Sequence, residues 1–482
     1  MLPINNQRYI IPFTSNSESA FDEYLELLKK DQQLKSIEDL SLFQSTTSEQ
    51  INRKYNYRRV IVARDWTDLY QPNYQVQSEL PSIATDGTDD EQEKNVLKKK
   101  IIMIVCGQSG IFLQLGLQLY DQFPVYRDTV DHVNQLYLTI SGFNVMEKIL
   151  ELCQLPPDSK EGYSQLLVNP LLFIFQIGMI HLFRHFGIEP DMVFGLSLGE
   201  IALFYLSGSV TLETAVKILY YRSIYQNEAL TTYGGKMLNV RINYHTYLEK
   251  YASRYPELDI ATKASGITVL AGQHDHLFTP LMLEFERDGV ECFFLAIVGT
   301  VHSRAQKLVK HKVLDSLAGL EMESVAAKIP WYSTVSGDRY DRPIDAKYIY
   351  HNMRKPVEVE AALQSIARDI KDRFQDYVFL EISGNANILS MIKPTLPKAI
   401  VVASIKKRHD EVLHFLYSLG ILFCHGFDVS FKSQFHEDQI KQHNLTTHTT
   451  NKFNEILKLI HLDQQSNINI DQFKIISKFI DK

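Results

Sequence analysis

Residues 190–203 of the chain read PDMVFGLSLGEIAL. The apolar run at 192–194 predicts a buried strand and the run after Gly199 predicts a helix, so Ser197 falls on the turn between them. Gly195 and Gly199, two residues before and after the serine, leave room for a sharp turn that pushes the hydroxyl out of the backbone. The pattern is typical of a serine nucleophile, and an ordinary turn of small residues produces it as well.

Two residues further along the chain extend this pattern. Arg222 lies among apolar neighbours in a stretch with helical spacing, residues 212–223. A guanidinium on a buried helix needs a carboxylate, which a substrate or a core acid such as Glu200 can supply. His302, in the segment VGTVHS at 298–303, is a candidate base for Ser197 or a structural hydrogen-bonding residue. The residues alone do not decide whether Arg222 pairs with a substrate or a core acid, or whether His302 is a base or a structural residue.

Further segments follow in a fixed order, and they carry a family resemblance. They are GQSG at 107–110, GGKML at 234–238, YSTVSG at 332–337, YIYHNMRKPV at 348–357, FLEISG at 379–384 and ASIKKR at 403–408. Together with Ser197, Arg222 and His302, they resemble the acyltransferase domains of polyketide and fatty-acid synthases, of the malonyl-CoA:acyl carrier protein transacylase type. Residues 9–70, which begin YIIPFTS, resemble the small linker domain that precedes this domain after a ketosynthase.

The resemblance implies an α/β fold. Its parts are an α/β-hydrolase-like parallel-sheet core, an inserted ferredoxin-like subdomain and a small N-terminal α+β linker domain. The implied ranges are 1–76 for the linker domain, 101–231 with 301–402 for the large subdomain, 232–300 for the small subdomain and 403–432 for a post-acyltransferase segment. A polar, acidic linker is expected at 77–100, and a polar, helical tail of unknown role at 433–482.

The resemblance also implies a reaction. A malonyl-type acyl group passes from coenzyme A, through an ester on Ser197, to the phosphopantetheine thiol of an acyl carrier protein. His302 is then the general base, and Arg222 pairs bidentately with the malonyl carboxylate. The coenzyme A thioester is a substrate, and the family implies neither a metal nor a permanently bound cofactor.

Five more positions belong to the implied site. The backbone amides of Leu198 and Ile111 are expected to stabilise the oxyanion. Gln108, Leu196 and Val301 are expected to line the acyl pocket. Leu196 and Ile111 stand where the family usually has histidine and glutamine, so we expect an activity that is slow or altered. The partners implied are malonyl-CoA, the acyl carrier protein, and a ketosynthase or larger synthase.

Two alternatives remain at this point. A catalytically degenerate copy, kept as a docking module, would explain the substitutions at Leu196 and Ile111. A serine thioesterase or esterase of the α/β-hydrolase type would also place a serine on such a turn. That class needs an acid between serine and histidine and has no use for a carboxylate-binding arginine, so Arg222 counts against it.

Composition is consistent with the resemblance and excludes other classes. The chain has 482 residues, 45% of them hydrophobic, and can bury a large core. A net charge of −7 without a long basic block predicts no nucleic-acid binding. Four widely spaced cysteines and no visible secretory signal lead us to expect a cytoplasmic protein. The most apolar run, residues 171–186, contains polar residues and predicts a buried helix without any membrane association.

Overall fold

The structure is a computed structural model that describes residues 7–30, 37–49, 51–52, 55–80, 99–108, 110–154, 164–295, 299–371 and 373–431. The predicted tail, most of the predicted acidic linker and Ser109 of the GQSG segment lie outside the described residues. The chain divides into two compact units, one formed by Lys99–Glu411 and the other by the residues before and after it. The domain boundaries given above stay predictions.

The N-terminal part of the chain forms an α+β arrangement. Strands β1 (Tyr9–Ser15), β2 (Tyr57–Ala63) and β3 (Tyr74–Glu79) pair antiparallel in that order, with helices α1 (Ser19–Lys30), α2 (Ile37–Glu49) and α3 (Trp66–Tyr70). Helix α1 follows from apolar residues at helical spacing, which include Phe21, Tyr24 and Leu25. The rings of Phe13, Tyr24 and Phe43 form an aromatic core, with centroids 5.6–6.2 Å apart.

The unit Lys99–Glu411 is built on a mostly parallel sheet. Its first elements are β4 (Lys100–Val105), α4 (Leu117–Gln122), α5 (Pro124–Ser141), α6 (Val145–Leu152), α7 (Gln165–His185), β5 (Met192–Gly195), α8 (Gly199–Leu206) and α9 (Leu212–Tyr233). Helix α7 is long and apolar enough by length and composition to cross a membrane, but 89% of its most apolar stretch is buried inside the protein. Such burial is typical of a core helix, as the sequence predicts.

A smaller subdomain follows along the chain. It contains β6 (Lys236–Val240), α10 (Tyr244–Lys250), β7 (Asp259–Lys263), β8 (Thr268–Gly272), α11 (Thr279–Arg287) and β9 (Cys292–Phe294). The strands lie in the order β7-β8-β6-β9, and neighbouring strands are antiparallel. A β-α-β-β-α-β sequence with this strand order is the ferredoxin-like arrangement that the family resemblance implies.

The chain then returns to the large sheet. The remaining elements of this unit are α12 (Lys310–Ser316), β10 (Trp331–Ser333), β11 (Asp338–Tyr340), α13 (Ala346–Arg354), β12 (Val357–Glu358), α14 (Val359–Ile370), β13 (Tyr377–Ile382), α15 (Leu389–Ile392) and β14 (Ile400–Ala403). The sheet order is β11-β10-β5-β4-β13-β14, parallel except for β11, while β12 pairs with β7 of the small subdomain. The predicted α/β fold is therefore confirmed.

Helix α16 (Glu411–Cys424) ends the regular structure of the described chain. Beyond its first residue it belongs with the N-terminal strands. Arg58 Nη1 donates a hydrogen bond to the Phe423 carbonyl at 3.0 Å, and a side chain added at Gly420 would contact Val60 at 2.9 Å. The post-acyltransferase segment thus packs on β2.

Candidate active site

Ser197 occupies a tight turn between β5 and α8. Its φ of 55° is in the left-handed region, which is uncommon for a residue other than glycine. The helix starts close against the neighbouring strand, because a Cβ at Gly199 would lie 2.2 Å from the Val105 carbonyl oxygen. The strand, turn and helix read from residues 190–203 are therefore present. The turn lies at the carboxyl end of β5, where open α/β sheets bind ligands.

His302 lies against this serine. Its Nε2 is 2.7 Å from Ser197 Oγ, and its Nδ1 is 2.9 Å from the Lys355 carbonyl oxygen. A carbonyl only accepts, so Nδ1 carries the proton and Nε2 is left to accept from the serine hydroxyl. Burial, together with the positive charge of Arg222, lowers the pKa of His302 to about 3. The imidazole is therefore neutral at pH 7 and has the protonation state of a general base.

Arg222 approaches the same hydroxyl from α9. It is 2% exposed, its Nη2 donates to Ser197 Oγ at 3.3 Å and its Nε donates to Asn352 Oδ1 at 3.2 Å. Its Nη1 is buried and has no hydrogen-bond partner among the described residues. Burial lowers the pKa of Arg222 to about 9, which still leaves the group charged at pH 7. A buried cationic donor without a partner can bind an anion.

The core acid Glu200 does not pair directly with Arg222. No salt bridge joins the two in the described part of the chain, and Asn352 lies between them. The Asn352 amide donates to Glu200 Oε2 at 2.8 Å and to the Ser197 carbonyl at 3.0 Å. Tyr348 and the Thr334 amide also donate to the Glu200 carboxylate, while burial raises its pKa to about 7. Arg222 is therefore held in place without being neutralised.

Sequence reasoning assigned no role to this supporting network. Thr334 lies in the segment YSTVSG, and Tyr348, Asn352 and Lys355 lie in the segment YIYHNMRKPV. In the sequence, both segments indicate only the family resemblance. The signal available in the sequence was the presence of polar residues within otherwise buried stretches, since buried polar groups are normally hydrogen-bonded.

The two predicted oxyanion donors differ in their surroundings. The amide of Leu198, at the start of α8, makes no hydrogen bond to any described residue, so it can donate to a ligand. The amide of Ile111 donates to the Gln108 carbonyl at 3.3 Å. That hydrogen bond is long, and a substrate oxyanion would have to compete with it.

The predicted acyl-pocket residues Gln108, Leu196 and Val301 line one cleft with Ser197 and Arg222. The cleft has a volume of about 740 Å³ and is lined by both subdomains of the unit Lys99–Glu411. Gln108 is anchored through its side-chain amide to Gln165 and Asn169 of α7. No group of three or more His, Cys, Asp or Glu residues that could hold a metal ion occurs among the described residues.

Comparison with known proteins gives the family. A family model described as the acyl transferase domain matches residues 106–429. The chain belongs to the acyl transferase domain family. This confirms the resemblance drawn from the Ser197, Arg222 and His302 segments. The chain is therefore an acyltransferase by family.

Relatives of this acyl transferase domain include large synthases of Dictyostelium discoideum. The chain is 31% identical over 442 residues to the probable polyketide synthase 17 and 28% identical over 464 residues to the probable polyketide synthase 3. These alignments cover 89% and 92% of the chain but only 16% of each relative. The chain therefore spans about one sixth of the length of these probable polyketide synthases.

Solved structures share the fold of the acyl transferase domain. The acyltransferase domain from module 8 of the salinomycin polyketide synthase has a TM-score of 0.72 at 20% identity, covering 88% of this chain and 98% of that domain. A loading acyltransferase from the avermectin synthase has a TM-score of 0.60 at 24% identity, covering 67% and 99%. At these identities the similarity establishes the fold alone.

Proposed function

We propose that the acyl transferase domain moves a malonyl-type acyl group from coenzyme A to the phosphopantetheine thiol of an acyl carrier protein, through an ester on Ser197 and without a permanently bound cofactor. The observation that carries the proposal is the free Nη1 of Arg222, a buried cationic donor whose Nη2 lies 3.3 Å from the Ser197 hydroxyl. A malonyl thioester has its carboxylate two carbons from the carbonyl that a nucleophile attacks. The carboxylate would bind Arg222 while the carbonyl faces Ser197.

In the first half-reaction, Ser197 Oγ attacks the thioester carbonyl while its proton passes to His302 Nε2. The negative charge on the carbonyl oxygen is stabilised by the Leu198 amide, and by the Ile111 amide once it releases Gln108. The carbon–sulfur bond then breaks. The coenzyme A sulfur leaves with the proton from His302, and a malonyl ester remains on Ser197.

In the second half-reaction, the thiol of the carrier's phosphopantetheine is the acyl acceptor. His302 Nε2 removes the thiol proton, the sulfur attacks the ester carbonyl, and the proton returns to Ser197 Oγ as the carbon–oxygen bond breaks. Two half-reactions at one serine give ping-pong kinetics. A ketosynthase or a larger synthase would use the malonyl carrier so formed.

Two observations weigh against the alternatives. A serine esterase orients its histidine with a carboxylate, whereas Nδ1 of His302 donates its hydrogen bond to the Lys355 carbonyl. The buried, unpartnered Nη1 of Arg222 lowers the stability of the fold. A degenerate copy that binds no substrate would gain nothing to offset this cost. Both features support a working transacylase.

Intact-mass measurement with malonyl-CoA and acetyl-CoA tests the proposal. We expect one malonyl group per chain, located on Ser197 by peptide mapping, and no label on Ser197→Ala. Arg222→Ala should lose malonyl loading by roughly tenfold to a hundredfold, because a charged hydrogen bond contributes about 1.5–3 kcal/mol. Loading from acetyl-CoA, which lacks the carboxylate, should change little.

Arg184→Ala is the matched control, since Arg184 pairs with Glu189 on the surface and does not line the cleft. It should leave both loading rates unchanged. Equal losses of malonyl and acetyl loading in Arg222→Ala would mean that Arg222 supports the fold and does not select the substrate. A wild-type chain that hydrolyses both thioesters without accumulating an ester would favour the thioesterase alternative.

A further inference from the structure

The active-site cleft has an unusual charge for this chain. Among the described residues, those that line it include Arg222, Arg241 and Lys407 but no aspartate or glutamate. The chain as a whole carries a net charge of −7. A cleft lined by charges of one sign attracts ligands of the opposite sign. Its ligand is therefore expected to be anionic at more than the single carboxylate that Arg222 can bind.

Arg241 comes from the small subdomain, directly after β6. Its side chain is 64% exposed, and its guanidinium lies 3.3 Å from Glu291, whose side chain is 76% exposed. An ion pair this exposed contributes little free energy and exchanges readily. Arg241 can therefore leave Glu291 for a ligand with a higher negative charge.

Lys407 comes from the turn after β14, which belongs to the unit Lys99–Glu411. Its ammonium group lies 5.7 Å from the ring centroid of Phe112, next to the Ile111 backbone. Lys407 is exposed, and it makes no ion pair with any described residue. The contact with the ring limits the positions that the ammonium group can adopt. Lys407 lines the same cleft as Ser197.

We infer that Arg241 and Lys407 bind the phosphate groups at the end of the pantetheine arm. The inference rests on the proposed function. In that reaction both the acyl donor and the acyl acceptor carry phosphate at the far end of the arm from the sulfur, the donor as coenzyme A and the acceptor as a carrier phosphodiester. With the sulfur held at Ser197 and the carboxylate at Arg222, the arm leaves through the cleft between the two subdomains. Arg241 from the small subdomain and Lys407 from the turn after β14 would then hold its charged end.

Malonyl transfer from two thioesters tests the inference, because malonyl-N-acetylcysteamine presents the same acyl thioester with no phosphate. We compare the ratio of kcat/KM for malonyl-CoA to that for malonyl-N-acetylcysteamine in wild type, Arg241→Gln, Lys407→Gln and the double variant. Each single variant should lower the ratio by about threefold to fivefold and the double variant by about tenfold or more, as for partly exposed ion pairs. Added salt should lower the wild-type ratio more than that of the double variant.

Matched controls remove exposed cations that do not line the cleft. Arg287 belongs to the same subdomain as Arg241 and also pairs with an exposed acid, and Lys406 precedes Lys407. Arg287→Gln and Lys406→Gln should leave the ratio unchanged. If they lower it as much as the cleft variants, the effect is one of total charge and the inference is wrong.

The acceptor half-reaction separates the two sources of phosphate. Malonyl transfer from Ser197 to a phosphopantetheinylated carrier is compared with transfer to free pantetheine. A loss for coenzyme A alone assigns the cations to the donor, and a loss in both half-reactions assigns them to the phosphate that donor and carrier share. Unchanged ratios in the double variant for both half-reactions would overturn the inference. If the wild type loads malonyl from neither thioester, the proposed function itself fails.

Discussion

Ser197 and His302 share an uncommon backbone conformation. Both have φ of 55°, in the left-handed region, where an L-residue costs about 1–2 kcal/mol. Strained backbone of this kind concentrates at functional sites, where surrounding contacts hold it. The His302 amide donates to the Met353 carbonyl at 3.1 Å, and Asn352 donates to the Ser197 carbonyl at 3.0 Å. The single helix α13 therefore supports both residues of the pair.

The low pKa of His302 leads to a prediction for the pH profile of malonyl loading. The base form is present above its pKa, so activity falls only as the pH drops through that value. With a pKa of about 3, kcat/KM at pH 5.5 should stay within about twofold of its value at pH 7.5. A histidine with the ordinary pKa of about 6.5 would lose about tenfold over the same interval.

Stopped-flow loading with malonyl-CoA at the two pH values measures this. In Arg222→Ala the positive charge that helps to lower the pKa is gone, so the acid limb should move toward pH 6.5 when followed with acetyl-CoA. Circular dichroism at each pH confirms that the chain is folded. A tenfold loss in wild type would contradict a neutral, desolvated His302.

At the scale of elements, the site depends on how closely α8 starts against β4. Gly199 is the first residue of that helix, and a Cβ there would lie 2.2 Å from the Val105 carbonyl oxygen and 2.7 Å from that of Cys106. Both are backbone atoms, which cannot move aside as a flexible side chain can. The close approach sets where the Leu198 amide and the Ser197 hydroxyl point.

Gly199→Ala should therefore destabilise the unit Lys99–Glu411, although alanine normally stabilises a helix relative to glycine by about 0.5–1 kcal/mol. We expect a loss of about 3 kcal/mol or more in the free energy of unfolding, as for overpacking against a rigid backbone. Urea unfolding in a Trp66→Phe background follows the change through Trp331, because the chain has 2 tryptophans and Trp331 is the one in this unit.

Gly142→Ala is the control for this substitution. Gly142 caps α5 with φ of 69° and no atom within 4 Å of an added Cβ, so alanine there incurs only the backbone cost of about 1 kcal/mol. Equal free energies of unfolding for Gly199→Ala and wild type would show that α8 can move away from β4 without loss of stability.

At the scale of the whole molecule, a second buried carboxyl affects stability. Glu411 is 3% exposed and accepts hydrogen bonds from the amides of Gly116 at 2.9 Å and Gln118 at 3.2 Å. It thereby joins the end of the unit Lys99–Glu411 to the start of α4. Burial raises its pKa from 4.5 to about 7.

The raised pKa of Glu411 predicts a pH-dependent stability. Between pH 4.5 and 7 the folded state keeps a proton that the unfolded state has lost, so the contribution is full below pH 4.5 and disappears as the pH rises through 7. From pH 5 to pH 8 the free energy of unfolding should fall by roughly 2–3 kcal/mol more in wild type than in Glu411→Gln. Urea unfolding at both pH values, with both proteins in the Trp66→Phe background and followed through Trp331, measures the difference.

The pKa of His302 is lowered, so His302 changes the free energy of unfolding with pH in the opposite direction to Glu411. This change is the same in wild type and in Glu411→Gln. The contribution of His302 is full above pH 6.5 and is lost as the pH falls toward 3. The comparison of wild type with Glu411→Gln therefore isolates the carboxyl. Identical pH profiles for the two proteins would mean that Glu411 has an ordinary pKa in the folded state.

Local patterns in the sequence determined much of the fold. The strand, turn and helix around Ser197 follow from an apolar run between glycines, and α1 follows from apolar residues at helical spacing. The order of motifs predicted the parallel core with its ferredoxin-like insertion and named Ser197, Arg222 and His302 together. These features depend on near neighbours or on family resemblance, so a sequence carries them without coordinates.

Only the tertiary structure decided how the parts of the site interact. Ser197, Arg222, His302 and Asn352 come from separate segments of the chain and meet within hydrogen-bond distance. The sequence left open whether Glu200 neutralises Arg222, and the position of Asn352 between them decides that it does not. The hydrogen bond from His302 to the Lys355 carbonyl could not be predicted from the sequence either, because every residue has a backbone carbonyl. The free Nη1 of Arg222 depends on which atoms surround a side chain in three dimensions, and no spacing along the chain encodes that.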